Sequence, residues 1–154
     1  MSQQAMPEAL KRWFNTPLSK LFQRANVFVY KASGAKLGGS MKGAPILLLT
    51  VRGRKSGKPH TLPLLYLLDG EDYVLVASKG GWPSHPLWYV NLQANPDVTV
   101  QVGRDQRALT ARTANQEERA RLWPKLVAMY SDYANYQSWT DREIPVVILS
   151  PRRR

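Results

Sequence analysis

The sequence contains no cysteine and only two histidines. The absence of cysteine excludes disulfides, thiolate metal ligands and cysteine nucleophiles. His60 and His85 have no carboxylate at metal-ligand spacing, so the sequence predicts no zinc or non-haem iron centre. Neither a Gly-x-Ser-x-Gly nucleophile elbow nor a dinucleotide-binding fingerprint occurs in the chain. An enzyme with this sequence would therefore need a cofactor to carry its chemistry.

Long apolar runs are also missing. No stretch approaches the ~20 residues that a membrane-spanning helix requires, and Met1 to Trp13 lacks the apolar segment of a signal peptide. These absences predict a cytoplasmic protein. A length of 154 residues with 44% hydrophobic content fits one domain. We assign it to residues 16–151, after an extension of residues 1–15 and before a basic tail of residues 152–154.

Acidic residues are absent between Glu8 and Asp69, whereas this stretch holds eleven Lys and Arg residues. Residues 1–68 therefore carry a formal charge of +10 and residues 69–154 only +1. Such an uncompensated field attracts phosphates, carboxylates, nucleic acid or anionic lipid. A solvated basic surface that only maintains solubility would have the same composition. The charge alone does not choose between these interpretations.

An amphipathic helix is predicted near the N-terminus. Apolar residues recur at helical spacing from Leu10 to Val29, with basic residues between them. Thr16 and Pro17 fit an N-cap and a first helical position, so the regular part is expected from Pro17 to about Ala32. The apolar stripe suits packing against the barrel or a partner subunit, which we favour. Peripheral contact with anionic lipid is the alternative.

The rest of the chain is mostly strands. They are predicted at Pro45–Val51, Thr61–Leu68, Tyr73–Ser78, Val98–Val102, Arg107–Ala111 and Pro145–Leu149. Helices are predicted at Pro86–Ala94 and Asn115–Met129, the second starting with a capping box of Asn115 and Glu118. The strands come mostly as hairpins, with helices between pairs and at the ends. This order favours an α+β fold with an antiparallel sheet or small barrel over a parallel array.

A glycine-rich basic segment, Gly53 to His60, connects the first two predicted strands. Its glycines let backbone N–H groups turn toward an anion, and Arg54, Lys55 and Lys58 flank them. The segment is not a Walker A loop, because Pro59 stands where Ser or Thr should coordinate magnesium. Dense positive charge without an acid favours an anion site over a plain solvated turn.

Three further segments could form a pocket, each with a purely structural alternative. Ser78-Lys79-Gly80-Gly81 ends a strand and would let a flat ligand approach the backbone, although a plain turn explains the glycines too. Trp88 and Asn91 share a helical face, where a tryptophan could equally fill the core. Aromatic residues spaced by three suit a core as well as a pocket with donor hydroxyls. They are Tyr130, Tyr133, Tyr136 and Trp139.

In combination, these segments resemble the deazaflavin-dependent nitroreductase family, a branch of the split β-barrel flavin and deazaflavin oxidoreductases of actinobacteria. The resemblance runs from about Thr16 to Pro151. The motifs that carry it, in chain order, are Leu37-Gly38-Gly39, Gly53-Arg54-Lys55-Ser56-Gly57, Ser78-Lys79-Gly80-Gly81, Pro86 with Trp88-Tyr89 and Asn91, Asn95-Pro96, Glu117-Glu118-Arg119 through Trp123-Pro124, and Met129-Tyr130 through Arg142.

The resemblance implies an antiparallel, FMN-binding-like split β-barrel of the α+β class, with an N-terminal amphipathic helix and flanking helices. It implies the cofactor coenzyme F-420, an 8-hydroxy-5-deazaflavin with a phosphate and an oligoglutamate tail; FMN is the alternative. The implied activity is hydride transfer to a small-molecule electron acceptor, namely a quinone, enone or nitroaromatic. The remaining alternative is a non-catalytic basic domain that binds nucleic acid or other anions, although no nucleic-acid module is visible.

The same resemblance implies roles for individual residues. The phosphate and glutamate carboxylates would be held by Arg54, Lys55, Lys58 and His60. The ring would be held by Lys79 and the backbone around Ala77, Ser78 and Gly80, and lined by Pro63, Trp88 and Asn91. The electron acceptor would lie near Ser78, Tyr130, Tyr133 and Tyr136, where a hydroxyl stabilises the developing oxyanion. His60 stands where relatives usually carry arginine, and Leu62 where a polar residue is common.

Overall fold

The computed structural model describes residues 8, 12, 17–36, 39–41, 43–81 and 83–152. The α-helices in this part of the chain are α1 (Pro17–Ser33), α2 (Leu87–Ala94), α3 (Gln116–Met129) and α4 (Asp132–Ser138). The strands are β1 (Ser40–Met41), β2 (Ala44–Arg52), β3 (Pro59–Leu65), β4 (Leu67–Asp69), β5 (Asp72–Val76), β6 (Asp97–Val102), β7 (Asp105–Thr113) and β8 (Val146–Pro151). Most of the expected extension, the expected N-cap Thr16, and Leu37-Gly38 of the first motif lie outside the described residues.

The strands form one antiparallel sheet that closes on itself. Its order is β1-β2-β6-β7-β8-β5-β4, and β3 pairs with β2 along the edge opposite β6. Only Tyr66 separates β3 from β4, and β4 pairs with β5. This connection joins the two ends of the sheet, so the predicted split β-barrel is confirmed. The single strand predicted at Thr61–Leu68 is interrupted, because it must bend at Tyr66 to serve two different neighbours.

Alternate residues of the strands fill the barrel. Leu49 and Val51 of β2 are fully buried among apolar residues of β5, β6, β7 and β8. Leu62 of β3 pairs directly with Leu49 and therefore shares its inward face. The same cluster is completed from α2 by Trp88, Tyr89 and Leu92. Helix α2 is thus anchored in the barrel core, which fixes the position of any group that it carries.

A second core lies on the outside of β5 and β8. Val74 and Ile148, whose neighbours in sequence face the barrel interior, pack here beneath α3 and α4. The helices contribute Leu122, Leu126, Tyr130 and Tyr133. This layer determines where the tyrosine-rich segment sits relative to the end of β5.

Helix α3 begins with the predicted capping box. The N–H of Glu118 donates to Asn115 Oδ1 at 2.9 Å, and the N–H of Asn115 donates to Glu118 Oε1 at 3.1 Å. The Glu118 carboxylate also accepts two hydrogen bonds from Arg112 of β7, at 2.6 and 2.7 Å. The helix start is therefore fixed to the barrel wall as well as capped.

Helix α1 packs on the barrel with the face opposite to its apolar stripe. Tyr30 is 1% exposed, and its hydroxyl donates to the Ile46 carbonyl at 3.0 Å and accepts from the Gly103 N–H at 2.9 Å. On the other side of the helix, Leu21 is 63% and Phe28 is 72% exposed. The barrel therefore does not cover the part of the stripe that the structure describes, because the hydrogen bonds of Tyr30 fix the opposite face inward. Packing of the stripe against a partner subunit stays a prediction.

Candidate functional site

The basic loop between β2 and β3 is a tight, exposed turn. The N–H of Gly53 donates to the Lys58 carbonyl, and the N–H of Gly57 donates to the Gly53 carbonyl, both at 2.9 Å. Gly57 has a φ of 69°, a conformation that glycine adopts without strain. The exposed basic side chains of the loop and of its exit are Arg54, Lys55, Lys58 and His60. Among the described residues, no carboxylate forms an ion pair with any of these four.

Asn91 connects this loop to α2. Its Oδ1 accepts a hydrogen bond from the Arg54 N–H at 3.1 Å, and the residue is 4% exposed. A buried amide requires such a partner, so this contact explains an asparagine on the buried side of the helix. Gly53 is equally enclosed, since a Cβ there would lie 2.7 Å from Ser56 Oγ. The loop is therefore held in place by a helix that is itself anchored in the barrel.

A cavity of about 290 Å³ opens beside this junction. Its lining comes from α1, β2, β3 and α2: Arg24, Val51, His60, Thr61, Leu62, Leu87, Trp88 and Asn91. Trp88 belongs to the barrel core and provides a firm aromatic wall. Arg24, from the exposed side of α1, adds a cation to the rim. The cavity thus combines an apolar wall with positive charge at its mouth, as small-molecule sites often do.

The chain after β5 forms a strained turn. Lys79, Gly80 and Gly81 have φ values of 45°, 60° and 77°, and the Gly81 N–H donates to the Ser78 carbonyl at 2.9 Å. A residue with a side chain is held at this φ at a cost of about 1–2 kcal/mol, so Lys79 is constrained by its surroundings. Gly81 lies against α4, where an added Cβ would be 2.6 Å from the Tyr136 carbonyl oxygen.

Arg142, from the loop between α4 and β8, holds this turn from one side. Its Nη2 donates to the Ser78 carbonyl at 2.7 Å, and its Nη1 donates to the Ala77 carbonyl at 3.2 Å. The same Nη1 lies 3.2 Å from Nδ1 of His85, whose ring contacts Tyr89 of α2 edge-on at 5.0 Å between centroids. Partial burial, and then the charge of Arg142, lower the pKa of His85 from its ordinary value of 6.5.

Three tyrosines form a cluster beside the turn. The ring centroids of Tyr130 and Tyr133 are 5.0 Å apart, and the hydroxyls of Tyr130 and Tyr136 are 3.4 Å apart. Tyr130 and Tyr133 are buried in the outer core, whereas Tyr136 is half-buried. Burial raises the pKa of Tyr130 and of Tyr133, so both hydroxyls stay protonated at neutral pH. The cluster therefore offers hydrogen-bond donors rather than a base.

The sequence of this chain matches a known protein family. The sequence profile of the family described as F420H(2)-dependent quinone reductase matches residues 22–151. The chain belongs to this family. The resemblance seen in the motifs is thereby confirmed, and with it the class of deazaflavin-dependent oxidoreductase.

Individual members of the family are close in sequence. The F420H(2)-dependent quinone reductase Rv1261c of Mycobacterium tuberculosis is 40% identical over 147 residues, which cover 93% of this chain and 99% of that protein. Rv3178 of the same organism is 50% identical over 114 residues, which cover 74% of this chain and 96% of that protein. Both alignments include the greater part of the barrel.

Solved structures agree with the fold and the family. An F420-H2 dependent reductase named FDR-A superposes with a TM-score of 0.65 at 48% identity, covering 69% of this chain and 94% of the other. A chain described as a domain-swapped dimer gives 0.67 at 39% identity, covering 88% and 100%. HutZ, a haem storage protein of Vibrio cholerae, gives 0.52 at 12% identity, covering 71% and 82%, which shows a common fold only.

In this family member, the predicted site residues gather in two places. Around the loop, α2 and the cavity lie Arg54, Lys55, Lys58, His60, Trp88 and Asn91. Around the turn after β5 lie Ala77, Ser78, Lys79, Gly80 and the tyrosine cluster. Pro63 joins neither group, because it pairs with Leu48 on the face of β3 opposite to Leu62. The roles of these residues in binding and catalysis stay predictions.

Three residues of the site escaped the sequence interpretation. Arg24 counted only as one of the basic residues between the apolar positions of its helix, and not as part of a small-molecule site. Arg142 was noted only as the end of a motif, and its carbonyl partners are 64 and 65 residues away in sequence. His85 was considered only as a metal ligand. No local sequence pattern indicates contacts between residues that are so far apart in the chain.

Proposed function

We propose that this chain oxidises the reduced form of coenzyme F-420 and reduces a quinone, with enones and nitroaromatics as alternative acceptors. The observation that supports this proposal is the basic loop of residues 53–58, which lies beside a cavity walled by Trp88. A phosphate and a chain of carboxylates would meet several cations there and no competing acid. Family membership favours this function over the flavin and nucleic-acid alternatives.

The cationic and aromatic side chains of the site fit such a coenzyme. Arg54, Lys55 and Lys58 would hold the phosphate and tail carboxylates at the rim, and Arg24 reaches the same cavity from α1. The N–H groups of Gly53, Arg54, Gly57 and Lys58 already donate hydrogen bonds within the protein, so the anion would be held chiefly by the basic side chains. Trp88 would pack against the ring. Lys79, whose backbone the turn holds at a φ of 45°, would supply a cation to the ring.

When bound in reduced form, the coenzyme supplies a hydride in a two-electron step. A quinone that accepts the hydride gains a negative oxygen and becomes a hydroquinone after taking up one proton from solvent. Ser78 precedes the turn, and the backbone of Tyr136 lies against Gly81 at its end, so these two residues are the candidates for donating a hydroxyl hydrogen bond to that oxygen. The raised pKa of Tyr130, whose hydroxyl is next to that of Tyr136, keeps this part of the site a donor.

The test is direct. Tryptophan fluorescence should report binding of coenzyme F-420, and the absorbance of its reduced form should fall on mixing with a quinone. Enones and nitroaromatics should be compared under the same conditions. Tight binding of FMN together with no response to coenzyme F-420 would refute the proposal.

We also propose that the apolar stripe of α1 contacts an anionic lipid surface. Leu21, Phe28 and Val29 are 63%, 72% and 37% exposed, and Arg24 and Lys31 on the same helix are exposed cations. A second copy of the chain would bring two strongly basic halves together, whereas an anionic surface complements them. Within the described residues, no helix is long and apolar enough to cross a membrane.

Co-sedimentation with vesicles containing phosphatidylglycerol should detect this contact. The double variant Leu21→Ser, Phe28→Ser should bind several-fold less than the wild type, because it removes the two most exposed apolar groups. A variant with Leu68→Ser alone, also exposed but on β4, is the matched control. Equal binding of the wild type and the double variant would refute the proposal. A dimer that the double variant dissociates would identify the stripe as an interface between copies.

A further inference from the structure

Arg142 contacts both segments that form the candidate site. Through the Ala77 and Ser78 carbonyls it holds the turn after β5, and through Nδ1 of His85 it contacts the residue that precedes Pro86 and α2. A guanidinium has only donors, so all three partners must be acceptors. One side chain therefore fixes the turn that carries Ser78 and Lys79 relative to the helix that carries Trp88 and Asn91.

The loop that carries Arg142 is itself well ordered by hydrogen bonds. The Arg142 N–H donates to Thr140 Oγ1 at 3.3 Å, and Gln137 Nε2 donates to the Arg142 carbonyl at 2.9 Å. Gln137 Oε1 in turn accepts from the Ile144 N–H at 2.9 Å. The guanidinium is thus presented from a fixed backbone, as expected of a group that sets the position of others.

The contact with His85 requires a neutral imidazole. Because Arg142 can only donate, Nδ1 of His85 must be unprotonated and its proton must lie on Nε2. A second proton would make Nδ1 a donor, so it could no longer accept a hydrogen bond from Arg142. The positive charges of the imidazolium and the guanidinium would also repel each other. The contact therefore exists only above the pKa of His85.

We propose that Arg142 is a positioning residue of the active site, and that its contact with neutral His85 makes the placement of the turn depend on pH. This inference rests on the proposed function. His85 contacts Arg142 from the α4–β8 loop and Tyr89 from α2, and Lys79 reaches the neighbouring Ser84 at 3.5 Å. Partial burial, and then the positive charge of Arg142, disfavour the protonated form of His85.

The first experiment needs no ligand. The chain has two histidines, so the imidazole signals of His85 and His60 can be followed separately by NMR during a pH titration. The pKa of His85 should lie below its ordinary value in the wild type and should rise in Arg142→Gln. Amide hydrogen exchange of Gly81 should become faster in the same variant. An unchanged His85 titration with unchanged exchange would overturn the inference.

The second experiment measures binding and turnover. Arg142→Gln should weaken coenzyme affinity about 10-fold or more, as loss of charge-assisted hydrogen bonds predicts. Arg142→Lys keeps one charged donor and should therefore recover part of the lost affinity. It replaces the glutamine variant in this measurement if that variant folds poorly. Arg152→Gln is the matched control, because Arg152 also donates to two carbonyls, those of Val98 and Leu109, within the barrel. It should lower stability without changing affinity.

The pH profile separates positioning from general stability. His85→Asn keeps an acceptor near the Nδ1 position but cannot be protonated. The wild type should lose affinity, relative to this variant, as the pH falls through the pKa of His85; parallel profiles would overturn the inference. If the wild type binds no coenzyme at all, the proposed function fails, but the NMR and exchange measurements still decide whether Arg142 and His85 control the turn.

Discussion

Replacing Arg54 and Lys55 by glutamate would test the basic loop most directly, because it reverses two charges without touching the barrel. Both side chains are exposed, and neither forms an ion pair with a described carboxylate. The Arg54 N–H that binds Asn91 belongs to the backbone and is retained. The double variant should therefore fold normally, and a change in affinity would reflect the lost charges.

The size of the effect follows from the exposure of the loop. A contact between unit charges at 4 Å contributes about 1 kcal/mol in water, and a charge-assisted hydrogen bond contributes about 1.5–3 kcal/mol. Because these side chains lie in solvent, we take values near the lower end, about 1–2 kcal/mol for each. Two residues then contribute about 2–4 kcal/mol, which corresponds to a loss of roughly 30- to 1,000-fold in affinity.

Titration of coenzyme F-420, followed by tryptophan fluorescence, measures this loss. Lys31→Glu with Lys36→Glu is the matched control, because it changes the net charge equally but lies at the end of α1 near Gly34 and the Gly103 turn. Affinity of the loop variant should also depend less on salt than that of the wild type. If the loop variant binds as tightly as the control, the loop does not hold the coenzyme, and the proposed function loses its main support.

Three further predictions concern stability and turnover. Gly81→Ala should lower the free energy of unfolding by about 2–4 kcal/mol, roughly 5–15 °C in Tm, because a φ of 77° is combined with a Cβ 2.6 Å from the Tyr136 carbonyl oxygen. Gly43→Ala, with a φ of 80° and no atom within 4 Å, should cost less, and equal calorimetric losses would contradict the close contact. The hydrogen bond from Arg112, and next that from the Asn115 N–H, lower the pKa of Glu118 from 4.5 to about 2. The ionised Glu118 carboxylate therefore stabilises the fold above pH 4.5, and this stabilisation is lost as the pH falls toward 2. Glu118→Gln lacks the carboxylate, so its free energy of unfolding in urea should fall less between pH 7 and pH 3 than that of the wild type. Identical losses in the two proteins would refute this. Tyr136→Phe should reduce kcat for quinone about 10-fold or more while coenzyme affinity is retained, and an unchanged kcat would exclude the hydroxyl as a donor.

The fold was predictable because its signals are local. The capping box of Asn115 and Glu118 depends on two residues three positions apart, and the antiparallel pair predicted at Val98–Val102 and Arg107–Ala111 depends on neighbouring residues; both are confirmed. The break at Tyr66 could not be predicted in the same way. It arises because β3 and β4 pair with different strands, and strand pairing is a property of the whole barrel.

The face of α1 that packs on the barrel could not be predicted from local sequence patterns either. The apolar spacing of α1 predicted a helix from Pro17 to about Ala32, which is confirmed at Pro17–Ser33, but it did not predict that the barrel binds the face of Tyr30. Tyr30 decides the orientation, since its hydroxyl is satisfied by Ile46, Gln101 and Gly103 from distant strands. A hydrophobic pattern describes the helix alone, whereas three hydrogen bonds to the barrel backbone select the side that is buried.

The two groups of site residues are connected through helix α2. The basic loop reaches α2 through Arg54 and Asn91, and α2 reaches the turn after β5 through the neighbouring His85 and Arg142. Helix α2 thus lies between the residues expected to hold the charged tail and those expected to hold the ring. A disturbance at either end should change the other through this helix. Measuring coenzyme affinity in Asn91→Ala, Arg142→Gln and the double variant would detect this coupling, because independent sites would give additive losses, whereas a shared support gives a double variant that loses less than the sum.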